Sequence, residues 1–191
     1  STAASGEAGS ALDWPRWIGF MKPLIAAPSI EGKRSGRYND RHGHSGFNGL
    51  AGAGIGAPGL HILDATYFAL DPSRDARAEY LAGHIPGALF MNLPDLKDSD
   101  NPVPFMLPSA AKFASRMRDL GIGDGQRIVL YDNVVHRTAA RAWWMLRSFG
   151  ARNVAILDGG LAKWIAEGRP LSTEAPETAS GHFTPLFRPE A

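Results

Sequence analysis

The sequence predicts an α/β domain with an open, mainly parallel sheet and helices on both faces, on three observations. From Leu60 onward, apolar runs of strand length alternate with segments of helical period. The runs are continuously apolar rather than alternating, which is the profile of strands covered on both faces. Glycines stand where the helical segments must stop, at Gly83, Gly121 and Gly168.

In order, Leu60 to Ala65 is the first strand, bounded by Gly59 and polar residues. Asp75 to Leu81 is a short helix expected to turn Ala76, Tyr80 and Leu81 inward, and Ala88 to Asn92 is the second strand. A connection punctuated by Pro94, Pro102, Pro104 and Pro108 leads to Ser109, which can cap a helix whose apolar face is Phe113, Met117 and Leu120. Arg127 to Tyr131 is the third strand and Thr138 to Phe149 the longest helix, with Ala140, Trp143, Trp144 and Leu146 expected to supply its bulk. Asn153 to Leu157 is a further strand, followed by a short helix from Leu161 to Glu167 that ends before Gly168 and Pro170.

The first 59 residues differ in kind. Ser/Ala/Gly-rich, Arg/His-rich and Gly/Ala-rich stretches follow one another without sustained period, so this part is expected to be a flexible low-complexity extension or a vector-derived leader. Within it, Trp14 to Leu24 is amphipathic enough to dock on a partner. His42-Gly43-His44 brings two imidazoles but no third ligand, so no metal is expected. Gly52 to Ala57 imitates a dinucleotide fingerprint, but it precedes a strand instead of following one, and Pro58 interrupts it.

Twenty Lys+Arg against 19 Asp+Glu leave a formal charge of +1 with both signs interspersed, which argues against a nucleic-acid partner. No apolar run reaches bilayer length, so no membrane partner is expected. The absence of cysteine rules out thiolate catalysis, thiolate-bound zinc and disulfides in this chain.

Ligands of open parallel sheets sit beyond the carboxyl ends of the strands. This directs attention to the loop Asp132-Asn133-Val134-Val135-His136-Arg137 before Thr138, where backbone amides and a helix N-terminus favour an anion. The Asp132 carboxylate can itself accept those hydrogen bonds, which makes the loop structural; the functional alternative is a hydrolytic pair of Asp132 and His136. His84 is expected to order its turn through backbone or a carboxylate, Asp64 being the natural candidate, while Gly83 and Gly87 supply conformations that side chains resist. Asp158 can accept from its own loop, Gly159 and Gly160 permit a tight turn, and Arg137 and Arg141 either meet an anion or pair with surface carboxylates.

Three signatures resemble the rhodanese family, more closely the N-terminal half of the two-domain thiosulfate and mercaptopyruvate sulfurtransferases. Asp75 to Ala88, containing Arg77 and Gly83-His84-Ile85-Pro86-Gly87, is similar to the first. Leu157-Asp158-Gly159-Gly160 with Trp164 is similar to the second. Met106-Leu107-Pro108-Ser109 with Phe113, together with Trp143-Trp144, resembles the non-catalytic first domain of the tandem enzymes. The resemblance covers Leu60 to Pro189.

It implies a rhodanese-like domain over residues 60–170, followed by a linker over 171–191 towards a second, cysteine-containing rhodanese domain absent from this chain. It also implies that active members carry their sulfur on a cysteine at the place of Asp132. A carboxylate is a poor nucleophile toward sulfur, so the chain alone is expected to be inactive, with no catalytic residue, cofactor or metal. The parent reaction would transfer sulfur from mercaptopyruvate or thiosulfate to a thiol or cyanide, and the location would be cytoplasmic or organellar. The other reading is a stand-alone, inactive rhodanese-like module that binds or regulates a protein partner.

Overall fold

The computed structural model describes residues 55–134 and 137–188. The expectations for Trp14 to Leu24, for His42 and His44, for the start of the Gly/Ala run, and for Val135 and His136 lie outside the described residues.

Among the described residues, four strands and four helices follow the expected order: β1 (Leu60–Asp64), α1 (Ala76–Ala82), β2 (Ala88–Phe90), α2 (Ala110–Asp119), β3 (Arg127–Tyr131), α3 (Thr138–Ser148), β4 (Val154–Ile156) and α4 (Gly160–Ala166). A 3-10 turn, Leu93–Asp95, begins the proline-punctuated connection. All strand pairs are parallel in the order β2-β1-β3-β4, with Ile62 beside Ala88 and Val129, and Leu130 beside Ile156.

Alternation along the strands divides the core between two faces. Leu63, Ile128 and Leu130 point into a cluster with Phe113 and Met117 of α2 and with Ala142, Met145 and Leu146 of α3. Ile62, Val129 and Tyr131 point the other way, against Ile85 and against Leu161 and Trp164 of α4. Helices therefore cover both faces, which is why the runs read as continuously apolar.

The helix starts follow their side chains. Asp75 Oδ1 accepts from the amides of Arg77 (2.9 Å) and Ala78 (3.1 Å), and Ser109 Oγ accepts from Lys112 (3.2 Å). At the end of α2, Gly121 has φ +70, and a Cβ there would stand 2.6 Å from the carbonyl oxygen of Ala179. Only glycine both ends this helix and admits that segment so closely.

The helix faces depart from expectation in phase. Leu81 is exposed and Ala76 half-buried, while Tyr80 alone anchors α1. On α3, Ala140 is exposed and both tryptophans lie on the flanks; the inward stripe is Ala139, Ala142, Met145 and Leu146, continued by Phe149. Small residues on the inner line let the helix approach the sheet, and Trp143 reaches sideways so that its Nε1 donates to the Val154 carbonyl (3.1 Å) on edge strand β4.

The boundary expected at residue 170 is not a boundary of packing. Trp164 Nε1 donates to the Pro170 carbonyl (2.8 Å), and Ser172 forms an antiparallel bridge with His84. Phe183 is 2 % exposed within the cluster of α2 and α3, edge-on to Phe113 at 5.8 Å. The amides of Leu186 and Arg188 donate to the carbonyls of Phe149 (3.0 Å) and Ser148 (2.6 Å). Residues 171–188, expected to form a linker, thus close one side of the domain, because their apolar side chains cover the ends of two helices that would otherwise be wet. At the other terminus, residues 57–59 are already tied in: the amides of Leu60 and Arg127 donate to Ala57 (3.1 Å) and Gly59 (2.9 Å).

Candidate functional site

At the carboxyl ends of the strands, the loop after β3 is fastened on three sides. The Asp132 carboxylate is nearly buried, and its Oδ2 accepts the Ala139 amide (2.7 Å) in the first turn of α3. Arg137, which precedes the helix, has a left-handed backbone (φ 52, ψ 60) and no side-chain cap of its own. Asp132 therefore does from upstream what a local Ser or Asp would do at the start of α3. Toward β1, the Asn133 amide donates to Thr66 Oγ1 (3.0 Å) and Thr138 Oγ1 donates to the Ala65 carbonyl (2.7 Å). Toward α4, the Asp132 carbonyl accepts the Leu161 amide (3.0 Å).

That last contact explains Gly160. With φ +55, its Cα faces the Asp132 carbonyl so closely that a Cβ would overlap the oxygen. Asp158, two residues earlier, is exposed and pairs with Lys163 (2.7 Å), which holds its carboxyl below the usual range. Arg137 adds positive potential to both Asp132 and Asp158. The sequence places Asp132, Asn133, Val134, Arg137 and Thr138 in one loop and Asp158, Gly159 and Gly160 in a separate signature; the structure brings the two segments together at the Asp132 carbonyl.

Burial dominates the electrostatics. It pushes the Asp132 carboxyl above the ordinary carboxylate range, against the opposing effect of the Ala139 and Val134 amides and of Arg137. Asp64, at the end of β1, is also raised, first by burial; its Oδ1 accepts the Thr66 amide (2.9 Å), and the neighbouring Asp132 charge adds to the rise. Tyr131 is pushed up by burial and by Asp64. Burial is thus the first cause of all three shifts, and each of these groups has a hydrogen-bond partner within the fold.

The remaining signature residues lie elsewhere. His84 is fully buried, but its partners are the carbonyls of Tyr80 (2.8 Å, from Nδ1) and Glu174 (3.1 Å, from Nε2), not Asp64. Gly83 has φ 172, an extended conformation open to any residue; the constraint there is space, since a Cβ would meet Leu171 Cδ1 at 3.3 Å. Gly87 has the positive φ expected of it, +73. The Arg77 guanidinium lies over the Phe90 ring at 5.8 Å, and Trp164 is buried beneath Arg169 at 4.9 Å. Among the described residues Arg141 meets no surface carboxylate: it donates to the Phe105 carbonyl and lies over that ring, which also meets Tyr67 at 5.5 Å. Thr66 was missed by sequence reasoning. Its signal was a hydroxyl two residues beyond a buried strand aspartate, a position suited to turn formation.

Among the described residues no three His, Cys, Asp or Glu side chains are grouped to hold a metal, and no helix is long and apolar enough to cross a membrane. A cavity of about 650 Å³ opens at the amino ends of the strands, beside Leu60, His61, Gly87, Asp124 and His182. Its His61 imidazole is lowered by burial.

The profile of the rhodanese-like domain matches residues 51–167, more than half of the sequence. The chain belongs to the rhodanese-like domain family. This rhodanese-like domain is 42 % identical over 133 residues to thiosulfate sulfurtransferase of Gallus gallus, covering 69 % of the chain and 46 % of that protein. It is 42 % identical over 138 residues to 3-mercaptopyruvate sulfurtransferase of Escherichia coli, covering 72 % and 49 %. Among solved structures, SseA of E. coli, described as a 3-mercaptopyruvate sulfotransferase, superposes with a TM-score of 0.71 at 41 % identity, covering 76 % of this chain and 56 % of that one. Tum1 of Saccharomyces cerevisiae, with a TM-score of 0.57 at 23 % identity over 69 % of this chain and 43 % of that one, shares the fold. The rhodanese-like domain spans about half the length of the curated relatives it matches.

Proposed function

We propose that this rhodanese-like domain is the cysteine-free structural half of a sulfurtransferase, acting beside a second, cysteine-containing rhodanese domain that supplies the chemistry. The observation that carries the reading is Asp132: in a chain without cysteine, the residue after β3 is a carboxylate whose Oδ2 is taken by the Ala139 amide. The Asn133 amide is likewise taken, by Thr66 Oγ1. Two donors that could have held an incoming anion are thus already satisfied, and the resemblance puts the sulfur-carrying cysteine of active members at this place. A carboxylate oxygen offers no comparable attack on sulfane sulfur. The parent reaction would move sulfur from 3-mercaptopyruvate or thiosulfate to a thiol or cyanide, with this half forming one wall of the cleft.

The test has two arms. The purified chain, given thiosulfate or 3-mercaptopyruvate with cyanide, is expected to form no thiocyanate above the uncatalysed rate. A chimera that replaces the matched half of the E. coli 3-mercaptopyruvate sulfurtransferase with residues 55–188 of this chain is expected to turn over. Thiocyanate from the chain alone overturns the inactive reading. A folded chimera no faster than the isolated cysteine-containing half overturns the structural one.

A further inference from the structure

We propose that His84 is a proton-operated latch: its doubly protonated ring closes the strap Leu171–Glu174 onto the domain, and loss of a proton loosens it. Both ring nitrogens of this fully buried side chain face carbonyl oxygens, Tyr80 O at 2.8 Å and Glu174 O at 3.1 Å. A carbonyl only accepts. A neutral imidazole has one N–H and one lone pair, so it can satisfy one of these oxygens and must turn a lone pair toward the other; the imidazolium donates to both.

A further contact is aromatic. The Tyr80 ring stacks on the imidazole with centroids 4.1 Å apart and planes 15° from parallel, so an aromatic face lies against it. Opposing this, burial disfavours any charge. The titratable and charged groups on the elements packed around it are Tyr80, Arg77 and Glu79 (itself paired with Arg74) on α1, Asp64 and Tyr131 on the sheet, Glu174 on the strap and Arg169 after α4. Asp64 and the two tyrosines are buried groups that favour their neutral forms, and Arg77 and Arg169 lie over the rings of Phe90 and Trp164. Protonation of His84 is therefore answered by carbonyl dipoles and a ring face more than by an ionised partner.

The two carbonyls belong to different segments, and that makes the ring a latch. Tyr80 lies in α1, whereas Glu174 lies on the strap that leaves α4. The strap is otherwise held by the His84–Ser172 bridge (2.9 and 2.8 Å) and by Leu171 seated against Gly83. Losing the Glu174 contact weakens the strap at its far end while α1 stays in place.

The test is nitrogen-detected NMR of the His84 ring in the full 191-residue chain across about pH 5.5–8.5, with amide exchange of Ser172 followed in parallel. Both ring nitrogens are expected to carry protons at the acid end. As the ring becomes neutral, the protection factor of Ser172 should fall roughly tenfold, the size expected for a buried carbonyl left unpaired, while the amides of β3 are unchanged. In His84→Gln, which cannot gain or lose a proton here, Ser172 protection should not vary over that range. A ring that is neutral throughout with Ser172 fully protected overturns the proposal, as does a ring that titrates without changing Ser172. The native titration decides the matter alone if the variant does not fold.

Discussion

Replacing Phe183 with alanine tests whether residues 171–188 belong to the body of the domain. The ring is 2 % exposed, packs edge-on to Phe113 at 5.8 Å and sits among side chains of α2 and α3. Truncating a ring so enclosed costs about 3–5 kcal/mol, from lost transfer energy and the cavity left behind. Phe187, a few residues on, is 51 % exposed and touches Phe149 only obliquely at 5.5 Å, so its truncation should cost about 1 kcal/mol or less. Urea unfolding of the two variants, followed by the fluorescence of buried Trp164, measures the difference directly. For a domain of this size Phe183→Ala should also lower Tm by roughly 10–20 °C. If it costs no more than Phe187→Ala, the terminal segment is an ornament on a domain that ends near residue 170, and the reasoning fails.

Gly160→Ala should destabilise by about 2–4 kcal/mol, combining a left-handed backbone with overlap on the Asp132 carbonyl, whereas Gly168→Ala, with φ +68 and open space, should cost only about 1 kcal/mol; equal losses in calorimetry would discount the overlap. Asp132→Ala should cost about 0.5–2 kcal/mol by removing the acceptor for Ala139, and Asp132→Asn, which keeps an oxygen there, should cost less. Because burial raises the Asp132 carboxyl in the folded state, that group's contribution is fully present below its unfolded value and is lost as pH rises through the folded one. Unfolding free energies of Asp132→Asn should therefore decline less than those of the native chain between about pH 4 and 7; an identical slope would refute the assignment. Tyr80→Phe removes the donor to the Ala88 carbonyl (2.7 Å) and should cost about 1–3 kcal/mol in urea unfolding, since that buried carbonyl loses its side-chain partner.

What the sequence made legible follows from what each residue advertises. The continuous run Ile128 to Tyr131 could only be a strand covered on both faces, and each side chain is buried. Ser109 announced a cap through its side chain and accepts from Lys112, whereas Asp75, read as the first helical residue, is itself the cap of α1 and accepts from Arg77 and Ala78. The inner face of α3 was harder to read because Ala139 and Ala142 carry no size signal, so the eye is drawn to tryptophans that lie on its flanks. The loop after β3 was readable as a place, and so was the ability of Asp132 to accept loop amides, but its link to Gly160 depends on a backbone oxygen that no side chain reveals. His84 orders its turn through backbone, one of its two expected kinds of partner, and not through Asp64; its second carbonyl is 90 residues distant, on a proline-rich segment without periodicity. Such a segment can be ordered by contacts that only the finished fold supplies.

The order in which the chain leaves the ribosome gives the Phe183 contact a further meaning. All four strands are synthesised before it, yet the space between α2 and α3 cannot be sealed until Phe183 has emerged, 70 residues after its neighbour Phe113. A nascent chain halted before that point exposes the apolar ends of two helices to whatever else is folding nearby. Chaperone capture during translation should accordingly persist through the synthesis of α4 and cease only once the last covered aromatic is free.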